Sequence, residues 1–183
     1  MLIHHTLEIV SLLMLLITYC VLSVTRHTRN NDQGVNSMGL IEAICISVEK
    51  GVVKKPVDEI TLRHSWGIEG DAHAGDWHRQ VSILAGESID RMRRKLPELD
   101  HGMFAENIVT RGIDLSVLTI GDSLLIGDDI VLEITQIGKE CHNAGCAIQS
   151  ATGECIMPKE GLFCRVVQGG KITPGMAVEK VIV

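Results

Sequence analysis

SLLIGDDIVLEITQI, residues 123–137, is the stretch that decides the fold. Two apolar runs, 123–126 and 130–137, flank Gly127, Asp128 and Asp129, and a Gly-Asp turn between β-branched runs is a hairpin signal. The same texture continues on both sides. Upstream, 40–48 is an Ile-rich strand closed by Glu49, Lys50 and Gly51, and 57–63, 80–84 and 104–110 read as further strands. Downstream, 162–167 and 177–183 are strands, with Pro174-Gly175 as a turn pair between them. One segment has helical period: over 87–96, Ile89, Met92 and Leu96 share a face and Pro97 ends the run. Many short strands, one helix and 18 glycines predict a mainly β (α+β) fold, an antiparallel β-barrel with one or a few short helices.

Composition narrows the function. The 183 residues carry 17 Lys and Arg against 23 Asp and Glu, a net charge of -6, and only two Trp, one Tyr and two Phe. Without a basic patch or stacking aromatics, nucleic acid is not an expected partner. The mean hydropathy of +0.22 is concentrated at the front. Residues 9–24, IVSLLMLLITYCVLSV, contain no charge, but sixteen residues fall short of the roughly 20 a spanning helix needs. No Lys or Arg precedes the run, whereas Arg26 and Arg29 follow it, which is the reverse of a cleaved signal peptide. Two readings stand for residues 1–37: an uncleaved anchor that leaves the rest in the cytoplasm, or an over-extended start ahead of a domain opening at Met38. Both place the working domain, 38–183, in the cytoplasm, tethered to the membrane only if 9–24 is a true anchor.

The chemistry gathers in three places. There is no GxGxxG, no GxxxxGK[ST] and no HExxH. The densest stretch is GKECHNAGC, 138–146, where Lys139 and His142 sit beside Cys141 and their positive charge favours its thiolate. Cys141 and Cys146 lie in polar loop text, where a thiol can be presented to a ligand. Cys45 and Cys164 lie in apolar strand text and read as small core residues. The spacing C-x4-C-x8-C-x8-C from Cys141 to Cys164 lacks the paired knuckles of structural zinc sites. The second place is WGIEGDAHAGDWHRQVS, 66–82, which crowds Asp71, His73, Asp76, His78 and Arg79 onto a Gly-rich loop. It reads equally as a polar-ligand or metal loop and as a solvated turn bonded to its own backbone. The third, Glu106-Asn107 at a strand start, is a cap or a polar anchor.

Taken in order, GIEGDAHAG (67–75), RQVSIL (79–84), FAENIV (104–109), IGDSLLIGD (120–128), GKECHNAGC (138–146) and GLFCRVVQGGKITPGMAV (161–178) resemble the MOSC family. The family is named for the C-terminal domain of molybdenum cofactor sulfurase. The likeness runs unbroken through 38–183 and is strongest to the stand-alone bacterial members. It implies a β-barrel of the MOSC, pyruvate-kinase-barrel-like type, and work on the molybdenum cofactor or on sulfur. Cys141 or Cys146 would carry sulfur as a persulfide, or ligate molybdenum if the metal is bound. Arg79 and Lys139 would meet the phosphate of molybdopterin. His73, Asn107 and His142 would complete the cofactor-binding set. Neither the N-terminal barrel of the amidoxime-reducing relatives nor the sulfurase's pyridoxal-phosphate domain has room here, and no lysine sits in a pyridoxal-phosphate context. Sulfur would then come from a cysteine desulfurase-type donor and pass to a molybdenum-cofactor acceptor protein. A partner or a second copy, as in a homo-oligomer, would supply any missing half of a pocket. Whether the domain is an enzyme stays open between sulfurtransferase-like and cofactor-dependent activity. The alternatives are a cofactor-binding domain of a small oxidoreductase and a non-catalytic storage or zinc-stabilised binding module.

Overall fold

The computed structural model describes residues 38–140 and 146–181. The apolar run 9–24, Cys141 and His142 lie outside the described residues. Eleven strands are present among those described: β1 (Gly39–Ile46), β2 (Lys55–Val57), β3 (Ile60–Arg63), β4 (Gly67–Ile68), β5 (Val81–Ala85), β6 (Ile108–Arg111), β7 (Ser123–Ile126), β8 (Ile130–Ile137), β9 (Leu162–Gln168), β10 (Gly170–Ile172) and β11 (Ala177–Lys180). Seven of them close into a barrel in the order β1-β11-β7-β8-β9-β5-β6 and back to β1, with β2 appended outside β1. A small sheet, β10-β3-β4, stands beside it. The helices are α1 (Gly86–Arg93), α2 (Ala147–Thr152) and α3 (Met157–Glu160).

The alternation of the opening stretch explains the closure. In β8, Ile130, Leu132 and Ile134 are buried while Val131, Glu133 and Thr135 are partly exposed, the period-2 pattern of a sheet wetted on one side. The buried set joins Ile41, Ile44, Val81, Ile83, Ile108, Leu124, Ile126 and Val166 inside the barrel. Gly127 makes the β7–β8 turn with φ of 62°, in the left-handed region glycine tolerates, and brings Ile126 opposite Ile130. A second core lies on the outer face of the barrel. There the outward side chains Leu84, Val109 and Phe163 meet Ile89 and Met92 of α1 and Ile148, Ile156 and Met157 of the 147–160 segment. The mainly β barrel with a few short helices expected from the sequence is present.

Four details depart from the sequence reading. The barrel is not wholly antiparallel, because β5 and β6 run parallel, with Ile83 opposite Ile108. The 57–63 strand divides at Asp58-Glu59 into β2 and β3, which pair in different sheets. The 104–110 strand begins only at Ile108, because the preceding residues form a loop: the Glu106 carboxylate accepts the N–H groups of Gly102 (2.5 Å) and Phe104 (3.0 Å), and Ala105 has φ of 67°. The 138–161 excursion between β8 and β9 carries two short helices that its polar, Gly-rich text conceals.

That excursion is closed at its base by the Gly138 N–H donating to Gly161 O at 2.7 Å. Gly138 has φ of 66°, and a Cβ there would stand 2.2 Å from Pro158 O. Gly138→Ala is therefore expected to lower stability by about 2 kcal/mol through combined backbone strain and overpacking, read from the urea midpoint. Among the described residues, no helix is long and apolar enough to cross a membrane.

Candidate functional site

Asp71 is the centre of a buried polar cluster at one end of the barrel. It follows β4 through Gly70, whose φ of 77° turns the chain inward. The ends of three other elements meet it, and a fourth joins through one of them. Ser47 follows β1, Lys54 precedes β2 and Asn107 precedes β6, while Ser82 of β5 is bonded to Asn107. Asp71 Oδ2 accepts the Ser47 N–H (3.1 Å), the Lys54 ammonium (2.5 Å) and the Asn107 amide (3.1 Å), while Oδ1 accepts the His73 N–H (2.9 Å). Burial would raise the Asp71 carboxyl, but the hydrogen bonds from the Lys54 ammonium and the His73 backbone N–H, with the lysine charge, hold the group well below the usual carboxylate range. Burial pulls Lys54 below an ordinary lysine, and its bond to Asp71 works against that pull.

Asn107 is fully committed inside the protein. Its Oδ1 accepts the Ser82 N–H (3.2 Å) and hydroxyl (3.0 Å), and its Nδ2 donates to Cys45 O (3.1 Å) as well as to Asp71. It is the polar anchor of the Glu106-Asn107 pair, and it acts on the site by holding Asp71. Glu106 is buried beside it, and burial pushes its carboxyl up to about 7 against the backbone N–H groups it accepts.

The 71–79 loop then runs outward with an aromatic and a cation on it. His73 is partly exposed and stacks on Trp77, with ring centroids 6.5 Å apart, and Trp77 Nε1 donates to His73 O at 2.7 Å. Gln80 pins the loop by donating to Gly75 O (3.2 Å) and accepting the Val166 N–H (2.9 Å). The Arg79 guanidinium lies 4.9 Å from the Trp77 ring and 5.8 Å from that of Phe163. Its Nε is buried and has no hydrogen-bond partner among the described residues. Lys139 approaches the same Phe163 ring, at 5.9 Å, so two cations flank one side chain of the outer core. Asp76 makes no ion pair with Arg79, and His78 turns away to Gln136 Oε1 at 3.0 Å.

The thiols divide by burial. Cys45 is pushed up to about 12 by burial, with the charges of Glu106 and Asp100 adding to it, and burial likewise raises Cys164. Both are core residues, as their apolar surroundings in the sequence imply. Cys146 is half-buried at the residue before α2 and packs against the outer core that contains Phe163. Cys155 is also half-buried against that core. Among the described residues, no three His, Cys, Asp or Glu side chains converge as metal ligands. A cavity of about 620 Å³ opens at the far end of β5, lined among others by Ser88, Arg91, Ile113, Leu115, Lys159 and Glu160. Ser88 and Arg91 both bond Glu160 there, so this rim is largely self-satisfied.

A family model for the MOSC domain matches residues 70–179. The chain belongs to the MOSC domain family. MOSC domains are linked to molybdenum-cofactor-related function. Among solved structures, the YuaD protein from Bacillus subtilis superposes with a TM-score of 0.66 at 21% identity, covering 79% of this chain and 96% of that one. YiiM from Escherichia coli gives 0.55 at 21%, covering 79% and 70%. YiiM from Geobacillus stearothermophilus gives 0.55 at 19%, covering 79% and 75%. At these identities the likeness is one of fold. A search of curated proteins found no match. Within this MOSC domain the sequence motifs bring Asp71, His73, Asn107, Arg79 and Lys139 to one side of the barrel. Lys54, Ser82, Trp77 and Phe163 are the members that motif reading missed. Lys54 sits in VVKKPV (52–57), which carries no motif and falls outside the matched range.

Proposed function

We propose that this MOSC domain carries sulfur as a cysteine persulfide on its 138–161 excursion and delivers it to a molybdenum-cofactor acceptor. The observation that carries the reading is the partition of the thiols. Cys45 and Cys164 are sealed in the core with raised pKa values, while Cys146 is half-buried against the outer core that contains Phe163, the ring Arg79 and Lys139 both approach. Thiolate chemistry needs an accessible sulfur, so among the described residues the excursion is where it can occur. In the loading step the thiolate attacks the outer sulfur of a donor persulfide, an S–S bond forms on this chain, and the donor leaves as a thiolate. An acceptor nucleophile that takes the outer sulfur returns the original thiolate.

The cation pair fits a phosphate-bearing acceptor such as molybdopterin. Arg79 offers a buried Nε with no partner among the described residues, and a guanidinium beside an ammonium suits phosphate oxygens. His73 stands on the same loop as Arg79 to orient a polar edge of the acceptor, with Asp71 and Asn107 holding it from behind. The same cation pair favours a second reading, a cofactor-binding domain of a small oxidoreductase. In that reading the bound group supplies redox chemistry, and these residues bind and orient it.

Intact-mass spectrometry of the full chain after incubation with a cysteine desulfurase and cysteine tests the carrier reading. The expected result is a gain of one sulfur atom, removed by cyanide, and lost in either Cys141→Ala or Cys146→Ala but not in Cys45→Ala. No gain in any form overturns the carrier reading. Stoichiometric molybdenum with a pterin on the purified protein then supports the second.

A further inference from the structure

We propose that Lys54 is a positioning residue that fixes His73 as the neutral tautomer protonated on Nε2, so that the site meets its ligand with a hydrogen-bond donor.

Lys54 is 1% exposed, yet it carries an ammonium group. An ammonium has three protons and no lone pair, so a buried one must find acceptors. Its Nζ has two neighbours of that kind among the described residues: Asp71 Oδ2 at 2.5 Å and His73 Nδ1 at 3.3 Å. For the second contact to be a hydrogen bond, Nδ1 must offer its lone pair, and the ring proton then belongs to Nε2. The alternative places an Nδ1–H against an ammonium. Only Asp71 Oδ1, also 3.3 Å from Nδ1, would reward that arrangement. Three donors to Asp71, from Ser47, Lys54 and Asn107, fall on Oδ2, and Oδ1 takes the His73 N–H, so Asp71 is served without Nδ1, whereas among the described residues Lys54 has no acceptor to replace it. Donor accounting therefore favours the Nε2–H form.

The orientation follows from burial. The Nδ1 edge faces side chains that are 1% and 0% exposed, while the His73 side chain as a whole is 32% exposed. Its accessible part is the opposite edge, which carries Nε2. Trp77 supports the ring from one side and locks the His73 carbonyl. A donor at Nε2, on the loop that also presents Arg79, selects an oxygen acceptor such as an oxo or phosphate oxygen. It disfavours a role for His73 as a ligand to a metal through a lone pair at Nε2. The class of ligand rests on the molybdenum-cofactor reading, but the tautomer does not.

The test is a long-range ¹H–¹⁵N correlation spectrum of the ring nitrogens in the full chain at pH 8, with no ligand added and His73 assigned through His73→Gln. The wild type is expected to show the proton on Nε2. Lys54→Arg, which keeps the donors, should preserve that pattern. Lys54→Met should move the proton to Nδ1, because Asp71 is then the neighbour that remains. A wild-type ring protonated on Nδ1 overturns the proposal, and that result does not depend on a Lys54 variant folding. An unchanged Nε2–H pattern in folded Lys54→Met overturns it as well. Sulfur loading is absent from this measurement, so failure of the carrier reading and failure of this one are separate results.

Discussion

Asp71→Ala is expected to remove about 3–5 kcal/mol of stability, the scale for deleting one partner of a buried ion pair. The loss has three sources that act together. The Lys54 ammonium is left buried without its counter-charge, at a position where it is 1% exposed. The N–H groups of Ser47 and His73 and the Asn107 amide lose their common acceptor, and orphaned buried donors carry their full desolvation cost. The 71–79 loop also loses the residue that ties it to the barrel. Urea unfolding at pH 7 reads this directly, and a loss below about 1 kcal/mol would place the pair in the class of surface bridges instead. The pH dependence has a definite sign. The Asp71 carboxyl is depressed in the folded state, so its contribution is complete above the unfolded carboxylate value near 4 and fades as the pH falls below it. The deficit of Asp71→Ala should shrink in that same acid window.

Glu106 acts in the opposite direction. Its folded value is about 7, raised by burial, against roughly 4.3 in an unfolded chain. Below pH 4 both states hold the proton and the group is neutral to stability. Between about 4 and 7 the unfolded chain ionises first, so the folded state loses ground, by about 3–4 kcal/mol once both states are ionised. Glu106→Gln removes this titration. Whatever fixed cost its amide incurs against the Gly102 and Phe104 N–H groups, the variant should gain on the wild type by about that amount between pH 4.5 and 8. Parallel stability curves over that range would show that the carboxylate is as well solvated by its backbone partners when folded as by water when unfolded. The same group matters to the site, because Lys54 N–H donates to Gly102 O at 3.1 Å, in the loop Glu106 organises.

The legibility of this chain follows the range of the interactions. The β7–β8 hairpin, the Ile-rich β1 and the face of Ile89 and Met92 in α1 were readable because period 2 and period 3.6 are local properties of a one-sided element. Closure was implied by strand number, but the parallel β5–β6 pair was not, since the 86–107 crossover holds a single eight-residue helix and its pairing is set by packing. The 104–107 loop was misread as strand because one carboxylate, Glu106, satisfies the backbone groups a sheet would otherwise use. In α2 and α3, helices of six and four residues hold no full period to detect, and Ile148 and Met157 earn their burial only against Phe163 and its neighbours.

The candidate site divides along the same line. Strand patterning by itself pointed to a mainly β domain, the order of the motifs carried the resemblance to the MOSC family, and residue types marked the 66–82, 104–109 and 138–146 segments as candidates for chemistry. They also separated Cys45 and Cys164 from the loop cysteines, because burial of a small apolar residue is encoded by its neighbours. Only the tertiary structure decided that Asp71 is a buried junction, that Asn107 holds it, that Arg79 rests between Trp77 and Phe163, and that Lys54 is a member at all. Apart from Trp77, a near neighbour of Arg79 in sequence, those roles depend on partners far apart along the chain, from Lys54 and Asp71 to Arg79 and Phe163. A lysine in a basic run looks solvated until the fold removes its water and leaves a carboxylate and an imidazole to replace it.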